Sequence, residues 1–180
     1  MPLASRQNEL MSLEQWCALG EDTSTRSELQ EGVLIVSPRP RLIHQKVLTK
    51  LGAGLLVQAP PGFTAVTEPD VVIDSRTPAT VRVPDVVVIR ENDDESMLTA
   101  ADVLLAVEIL SPGTRRVDLV LKRFEYAEAG IANYWIVDFE GTPRLEALTL
   151  VDGSYVGDWV TGTHTSNAPF PLTIDLDAFA

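Results

Sequence analysis

The run Val103-Leu-Leu-Ala-Val-Glu108-Ile-Leu110 constrains this chain more than any other stretch. Its nearly continuous apolar composition is that of a strand covered on both faces. A carboxylate inside such a strand cannot stand alone. Without a partner it costs several kcal/mol or shifts its pKa until it is neutral. The segment Val83-Pro-Asp85-Val-Val-Val-Ile89 repeats the anomaly with Asp85. Two buried acids have two ways to be stable. They can share a divalent cation, and oxygen-only donors suit Mg²⁺ or Mn²⁺, which keep several waters in a six-coordinate shell. Alternatively they are structural pairs, Asp85 beside Arg82 or Arg90 and Glu108 with an arginine. The two strands alone leave both readings open.

After Glu108 the chain turns at Ser111-Pro-Gly and enters an expected helix over 117–129, closed by Gly130. Its apolar stripe is read as Val117, Val120, Leu121 and Phe124. Asp118, Lys122 and Tyr126, spaced i, i+4, i+8, share the face beside it, so Lys122 is placed to reach back over the end of the Glu108 strand. The plainer reading is an exposed Asp118–Lys122 pair worth a few tenths of a kcal/mol. Upstream, residues 11–19 have a short helical spacing, Glu21 to Ser27 is a polar turn, and 29–36 reads as a hairpin about Glu31-Gly32. Leu42 to Gln58 is a helix with apolar positions at Ile43, Val47, Leu51 and Leu55, ended by Pro60-Pro61-Gly62. Strands are expected at 63–67, 70–73, 83–89, 103–110, 134–138, 145–150 and 154–160, with an acidic loop at Glu91–Glu95 and a final strand and turn in the last ten residues. Trp135 and Phe124 read as core and His164 as a loop residue. This order predicts one α/β (α+β) domain spanning 1–180.

Composition narrows the function classes. Against 14 Lys+Arg stand 26 Asp+Glu, a net charge of −12, which excludes a polybasic nucleic-acid coat. With 45% apolar residues the chain is not disordered. No apolar run reaches the roughly 20 residues that span a bilayer, and Met1 to Leu10 lacks the basic and apolar regions of a secretory leader. The single Cys17 excludes an internal disulfide or a cysteine zinc cluster, and His44 and His164 are too far apart for a histidine-rich site. A cytoplasmic protein is the expectation. The acidity is uneven: residues 37–67 carry four bases and no acid, and residues 109–130 carry four bases and three acids. If those windows meet, the molecule has one basic face on an acidic body.

The series Arg82-Val-Pro-Asp-Val-Val-Val, Val107-Glu-Ile-Leu-Ser-Pro-Gly-Thr-Arg-Arg-Val-Asp, Lys122, Tyr126 and Ala129-Gly-Ile-Ala-Asn-Tyr-Trp-Ile-Val-Asp138 resembles the Uma2 family (DUF820). That is a bacterial group with the PD-(D/E)XK restriction-endonuclease-like fold. Glu31-Gly-Val-Leu, Ser37-Pro and His44-Gln resemble the family's opening hairpin and first core helix, so the likeness runs over about residues 25–160. Of two Pro-Asp dipeptides, Pro84-Asp85 fits better than Pro69-Asp70, because it follows an Arg-x-Pro one strand before the glutamate strand.

The resemblance implies a mixed central sheet flanked by helices, with an N-terminal hairpin and extra C-terminal strands. It implies that Asp85 and Glu108 bind Mg²⁺ or Mn²⁺, with the carbonyl of Ile109 as third ligand. The nuclease motif puts a lysine two residues after the glutamate; here that residue is Leu110, and Lys122 fits a lysine migrated to the following helix. Glu28 adds an acid from the hairpin, and Tyr126 and Asp118 position Lys122. The implied activity is metal-dependent hydrolysis of nucleic-acid phosphodiesters, with DNA the expected partner. His44, Lys46 and Lys50, with Arg115 and Arg116, are the expected phosphate-backbone contacts. The competing reading is a nuclease fold without catalysis, serving as a dimerisation or DNA-binding module. Apolar strands with open edges suggest a homodimer.

Overall fold

The computed structural model describes residues 10–20, 25–38, 40–91, 96–113 and 115–179. Residues 1–9, residues 21–24 of the polar turn and residues 92–95 of the acidic loop lie outside the described residues.

A short helix, α1 (Leu13–Cys17), opens the described chain. The Ser12 hydroxyl accepts from the Gln15 N–H while the Gln15 side chain accepts from the Ser12 N–H, satisfying two donors at the helix start. Strands β1 (Arg26–Gln30) and β2 (Val33–Ser37) form an antiparallel hairpin. Its turn is Glu31-Gly32, both at positive φ (46° and 77°), a geometry whose twist matches the flanking strands. With β5 (Thr80–Arg82), β4 (Val71–Asp74) and β7 (Leu98–Thr99) they make a five-stranded sheet in the order β2-β1-β5-β4-β7. Helix α2 spans Leu42–Gln58.

A second, seven-stranded sheet is built on β3 (Phe63–Thr67), β6 (Val86–Arg90), β8 (Val103–Ile109), β9 (Asn133–Asp138) and β10 (Arg144–Val151). β8 and β9 run parallel and the other pairs antiparallel. A parallel pair needs a long crossover, supplied by a π-helical stretch, Val117–Lys122, continuing as α3 (Arg123–Glu128). One face of this sheet packs on α2 through Val47, Leu51 and Leu55, and on the C-terminal Phe170, Leu172 and Ile174. The other face packs Val87, Ala106, Tyr134 and Ile136 with Tyr126 and Ile131. The architecture is the expected mixed one, with a small hairpin of β13 (Thr163–Ser166) and β14 (Leu172–Asp175) at the end.

Four local expectations change. The run 83–89 is not one strand: β5 ends at Arg82 in the first sheet and β6 begins at Val86 in the second. Pro84 has no N–H to give a ladder, so Val83-Pro84-Asp85 is the step from one sheet to the other. The run 154–160 divides into β11 (Ser154–Val156) and β12 (Trp159–Thr161), both paired with β10. A Cβ at the intervening Gly157 would collide with the Ala147 carbonyl oxygen, so only glycine lets the chain pass there. His164 lies in β13, its ring edge-on to Trp135 at 5.5 Å. The helix after Glu108 turns the opposite way to the expected stripe. Asp118, Lys122 and Tyr126 are buried, whereas Val120 and Phe124 are 63% and 60% exposed. Among the described residues, no helix is long and apolar enough to cross a membrane.

Candidate metal and phosphate site

The step between the sheets creates the site. Val86 pairs with Val107 across β6 and β8, so Asp85, one residue earlier, comes level with Glu108. Asp85 and Glu108 are 1% and 2% exposed. β1 brings Arg26 and Glu28, two residues apart and so on one face of the strand. The crossover helix contributes Asp118, Lys122 and Tyr126, and the start of α2 contributes His44.

Asp85 is held on both oxygens. Arg26 Nη1 donates to Oδ1 at 2.9 Å, and the Ile109 N–H donates to Oδ2 at 2.6 Å. Arg26 also donates to the Val83 carbonyl and lies 3.4 Å from Glu68 Oε1. His44 Nε2 sits 3.3 Å from Asp85 Oδ2 and 3.2 Å from the Ile109 carbonyl oxygen. His44 Nδ1 is buried with no hydrogen-bond partner among the described residues. A proton on Nε2 therefore serves two acceptors, whereas one on Nδ1 serves none. Burial alone would raise the Asp85 pKa, but the His44 hydrogen bond, the Arg26 charge and the Ile109 N–H hold it below the ordinary carboxylate range.

Glu108 has different company. Its Oε1 accepts from Lys122 Nζ at 2.8 Å and from the Tyr126 hydroxyl at 3.0 Å. Lys122 Nζ also reaches Glu28 Oε1 at 3.0 Å and Asp118 Oδ1 at 3.5 Å. Burial opposes the Lys122 charge, but Glu108, Glu28 and Asp118 outweigh it and raise its pKa. Glu28 accepts from the Val83 N–H at 3.1 Å and from Arg82 Nη1 at 3.0 Å, while the other edge of Arg82 is clamped by both oxygens of Glu125 at 2.7 Å. Full burial and the nearby Asp118 and Asp85 charges outweigh Lys122 and push Glu108 up to about 8. Arg26, Arg82 and Lys122 thus face Glu28, Asp85, Glu108, Asp118 and Glu125. Acids are in excess, and Glu108 takes the proton that relieves it.

That surplus is the test of fit for a divalent cation. Two carboxylates and the Ile109 carbonyl are hard oxygen donors of the kind Mg²⁺ and Mn²⁺ take, and a cation there would supply the missing charge. Among the described residues no three His, Cys, Asp or Glu side chains are grouped to hold a metal ion, so the remaining positions would fall to waters. A bound ion would also have to displace the donors now on these oxygens, Arg26 and His44 first.

The remaining expected contacts lie elsewhere. His44 is buried with the carboxylates, apart from Lys46 and Lys50, which are exposed on α2. Lys50 Nζ donates to the Ala178 carbonyl at 2.6 Å. Arg116 is exposed. Arg115 Nη2 is taken up by Asp138 at 3.1 Å and Glu140 at 3.3 Å. Sequence reasoning overlooked Arg26. Its signal was the alternation Arg26-x-Glu28, which puts a cation beside an expected site acid. A cleft of about 1020 Å³ opens over Arg26, lined also by Trp16, Leu34, Glu68 and Met97.

Comparison with known proteins bears on the family and the fold. The Uma2 family model, described as "Putative restriction endonuclease", matches residues 10–177. The solved structure of a "putative nuclease belonging to DUF820" from Anabaena variabilis superposes with a TM-score of 0.68. The match covers 94% of this chain and 97% of that one at 18% identity, a likeness of fold. No curated protein matches the chain.

Proposed function

The chain belongs to the Uma2 family, described as "Putative restriction endonuclease", and from that premise we propose that it is a cytoplasmic, single-domain, divalent-metal-dependent endonuclease acting on DNA as a homodimer. The observation that carries this reading is the meeting of Asp85, Glu108 and Lys122 at the junction of the two sheets, with Lys122 Nζ 2.8 Å from Glu108 Oε1.

Asp85, Glu108 and the Ile109 carbonyl would hold Mg²⁺ or Mn²⁺. When bound, such an ion lowers the pKa of water and stabilises negative charge on a phosphate. The chain's own groups do the rest. Lys122, a charged donor at a buried position, orients the attacking water and offsets charge on the phosphorane oxygens, where a fixed cation is worth far more than in bulk solvent. Tyr126, Glu28 and Asp118 keep Lys122 in place. Water adds to phosphorus, one P–O ester bond breaks, and the products are a phosphate monoester and a free hydroxyl. Lys46, Lys50 and Arg116 are exposed cations for the backbone of the substrate. Arg115 serves in that role only if it leaves Asp138 and Glu140.

The test is cleavage of single- and double-stranded DNA with Mg²⁺ or Mn²⁺ by wild type, Asp85→Ala, Glu108→Ala and Lys122→Ala, each checked for folding by circular dichroism. Losses of at least about 10²-fold are expected for each variant. Equal traces of cleavage in all four samples would mean contamination and overturn the catalytic reading. One observation favours the non-catalytic alternative: Asp85 already has donors on both oxygens. Titration calorimetry with Mn²⁺ separates the two, since an inactive module binds none at millimolar metal.

A further inference from the structure

Among the described residues, strand β2 is the edge of the first sheet and has one neighbour, β1. Val33, Leu34, Ile35 and Val36 are exposed at 49%, 41%, 38% and 55%. No charge, proline or bulge interrupts them, and the register with β1 is continuous. These are the devices by which monomers protect an edge, and β2 has none of them.

The hairpin geometry defines which groups are free. Across a two-residue turn the flanking residues Gln30 and Val33 form a hydrogen-bonded pair, and such pairs alternate along the ladder with non-bonded ones. Glu28–Ile35 and Arg26–Ser37 are therefore bonded pairs too. The N–H and C=O groups of Leu34 and Val36 point away from β1. Both faces of the strand are apolar. Val33 and Ile35 share a groove with Leu121 and the exposed Phe124. Leu34 and Val36 line the cleft that contains Trp16 and Leu19.

We propose that β2 is a homodimerisation strand, two copies pairing antiparallel about a two-fold axis through Ile35. In this register Leu34 of each copy bonds to Val36 of the other, using all four outward-facing N–H and C=O groups per copy. The charges fit the same arrangement. Glu31 and Arg41, both exposed, flank the strand in sequence, and antiparallel pairing sets the start of one copy's strand beside the end of the other's. A parallel pairing would set like charges together. The four β2 side chains and Phe124 are 38–60% exposed, an apolar patch that edge pairing would cover in part. A self-complementary patch of this kind closes with two-fold symmetry. This names the surface for the dimer proposed above and stands or falls apart from catalysis, because no metal or nucleic acid enters the test.

Sedimentation of the full chain from low micromolar to hundreds of micromolar is expected to show a monomer–dimer equilibrium. Ile35→Lys places two ammonium groups on the axis and should raise the dimer Kd by at least about 30-fold. Glu31→Arg and Arg41→Glu should each weaken it by roughly 3-fold, and the double exchange should recover it. Circular dichroism melts control for folding. Hydrogen exchange on wild type needs no variant: the Leu34 and Val36 amides should gain protection as concentration rises. A monomer at every concentration, a dimer indifferent to Ile35→Lys, or Leu34 and Val36 amides whose exchange ignores concentration would each overturn the proposal. A double exchange that fails to recover the affinity lost by the single variants would overturn the register.

Discussion

At the scale of single residues, the two site acids are set apart by their neighbours. Asp85 and Glu108 are equally buried, but Asp85 sits under Arg26, His44 and a backbone N–H, whereas Glu108 shares Lys122 with Glu28 and Asp118. Burial and like charge lift Glu108 from 4.5 to about 8. A raised folded pKa means that the folded chain binds more protons than the unfolded one between these values. This contribution to stability is complete below the unfolded value and lost as pH rises through the folded one. Glu108→Gln cannot titrate. Relative to wild type it should gain on the order of a few kcal/mol between pH 5 and pH 8.5, read from urea unfolding at each pH. Lys122→Met has the opposite character, since it leaves Glu108 and Glu28 facing each other in the interior. A loss of about 3–5 kcal/mol is expected by the same measurement at neutral pH. The anomaly of an acid in an apolar strand was legible in the chain; which cation answered it was not. Arg82, the partner weighed for Asp85, is spent on Glu28 and Glu125, and Arg26, 59 positions from Asp85, takes its place.

At the scale of elements, the crossover helix is the instructive case. Its hydrophobic pattern points Val120 and Phe124 inward, and both lie outside. A helical stripe reports which face is apolar, and a helix normally buries that face. Here the sheet beneath offers Glu108, with Glu28 close by, and these cost more unpaired than two apolar side chains cost in water. The charged face is therefore drawn in, over a stretch whose first turns are π-helical, a feature frequent at functional sites. Val120→Ser should change stability by no more than about 0.5 kcal/mol, as for a surface position, where a core reading of the same residue would demand several times that. Urea unfolding of the variant decides it. The strand elements with strong alternation or continuous apolar runs were readable with their approximate ends. The breaks at 83–85 and at Gly157 were not, because they depend on which sheet receives the next residues and on how closely the Ala147 carbonyl approaches.

At the scale of the whole molecule, the net charge of −12 still bears on any polyanion. Exposed Lys46, Lys50 and Arg116 are few, and Arg115 is neutralised in place by Asp138 and Glu140. Binding to non-specific DNA should thus be weak, with a shallow salt slope of about −2 to −3 in log K against log salt, measurable by fluorescence anisotropy. A slope near −8 would require several more phosphate contacts than these three cations make. The amino-acid sequence by itself determined the mixed architecture, the buried strands and the two acids that could not be left alone. These follow from local periodicity and from the cost of burying charge, which each residue carries with it. Only the tertiary structure decided that Asp85 and Glu108 stand level across a step between two sheets, that Arg26 and Lys122 divide them, and that β2 keeps a bare apolar edge. Those outcomes depend on which distant segments become neighbours, a competition among long-range contacts that no local pattern encodes.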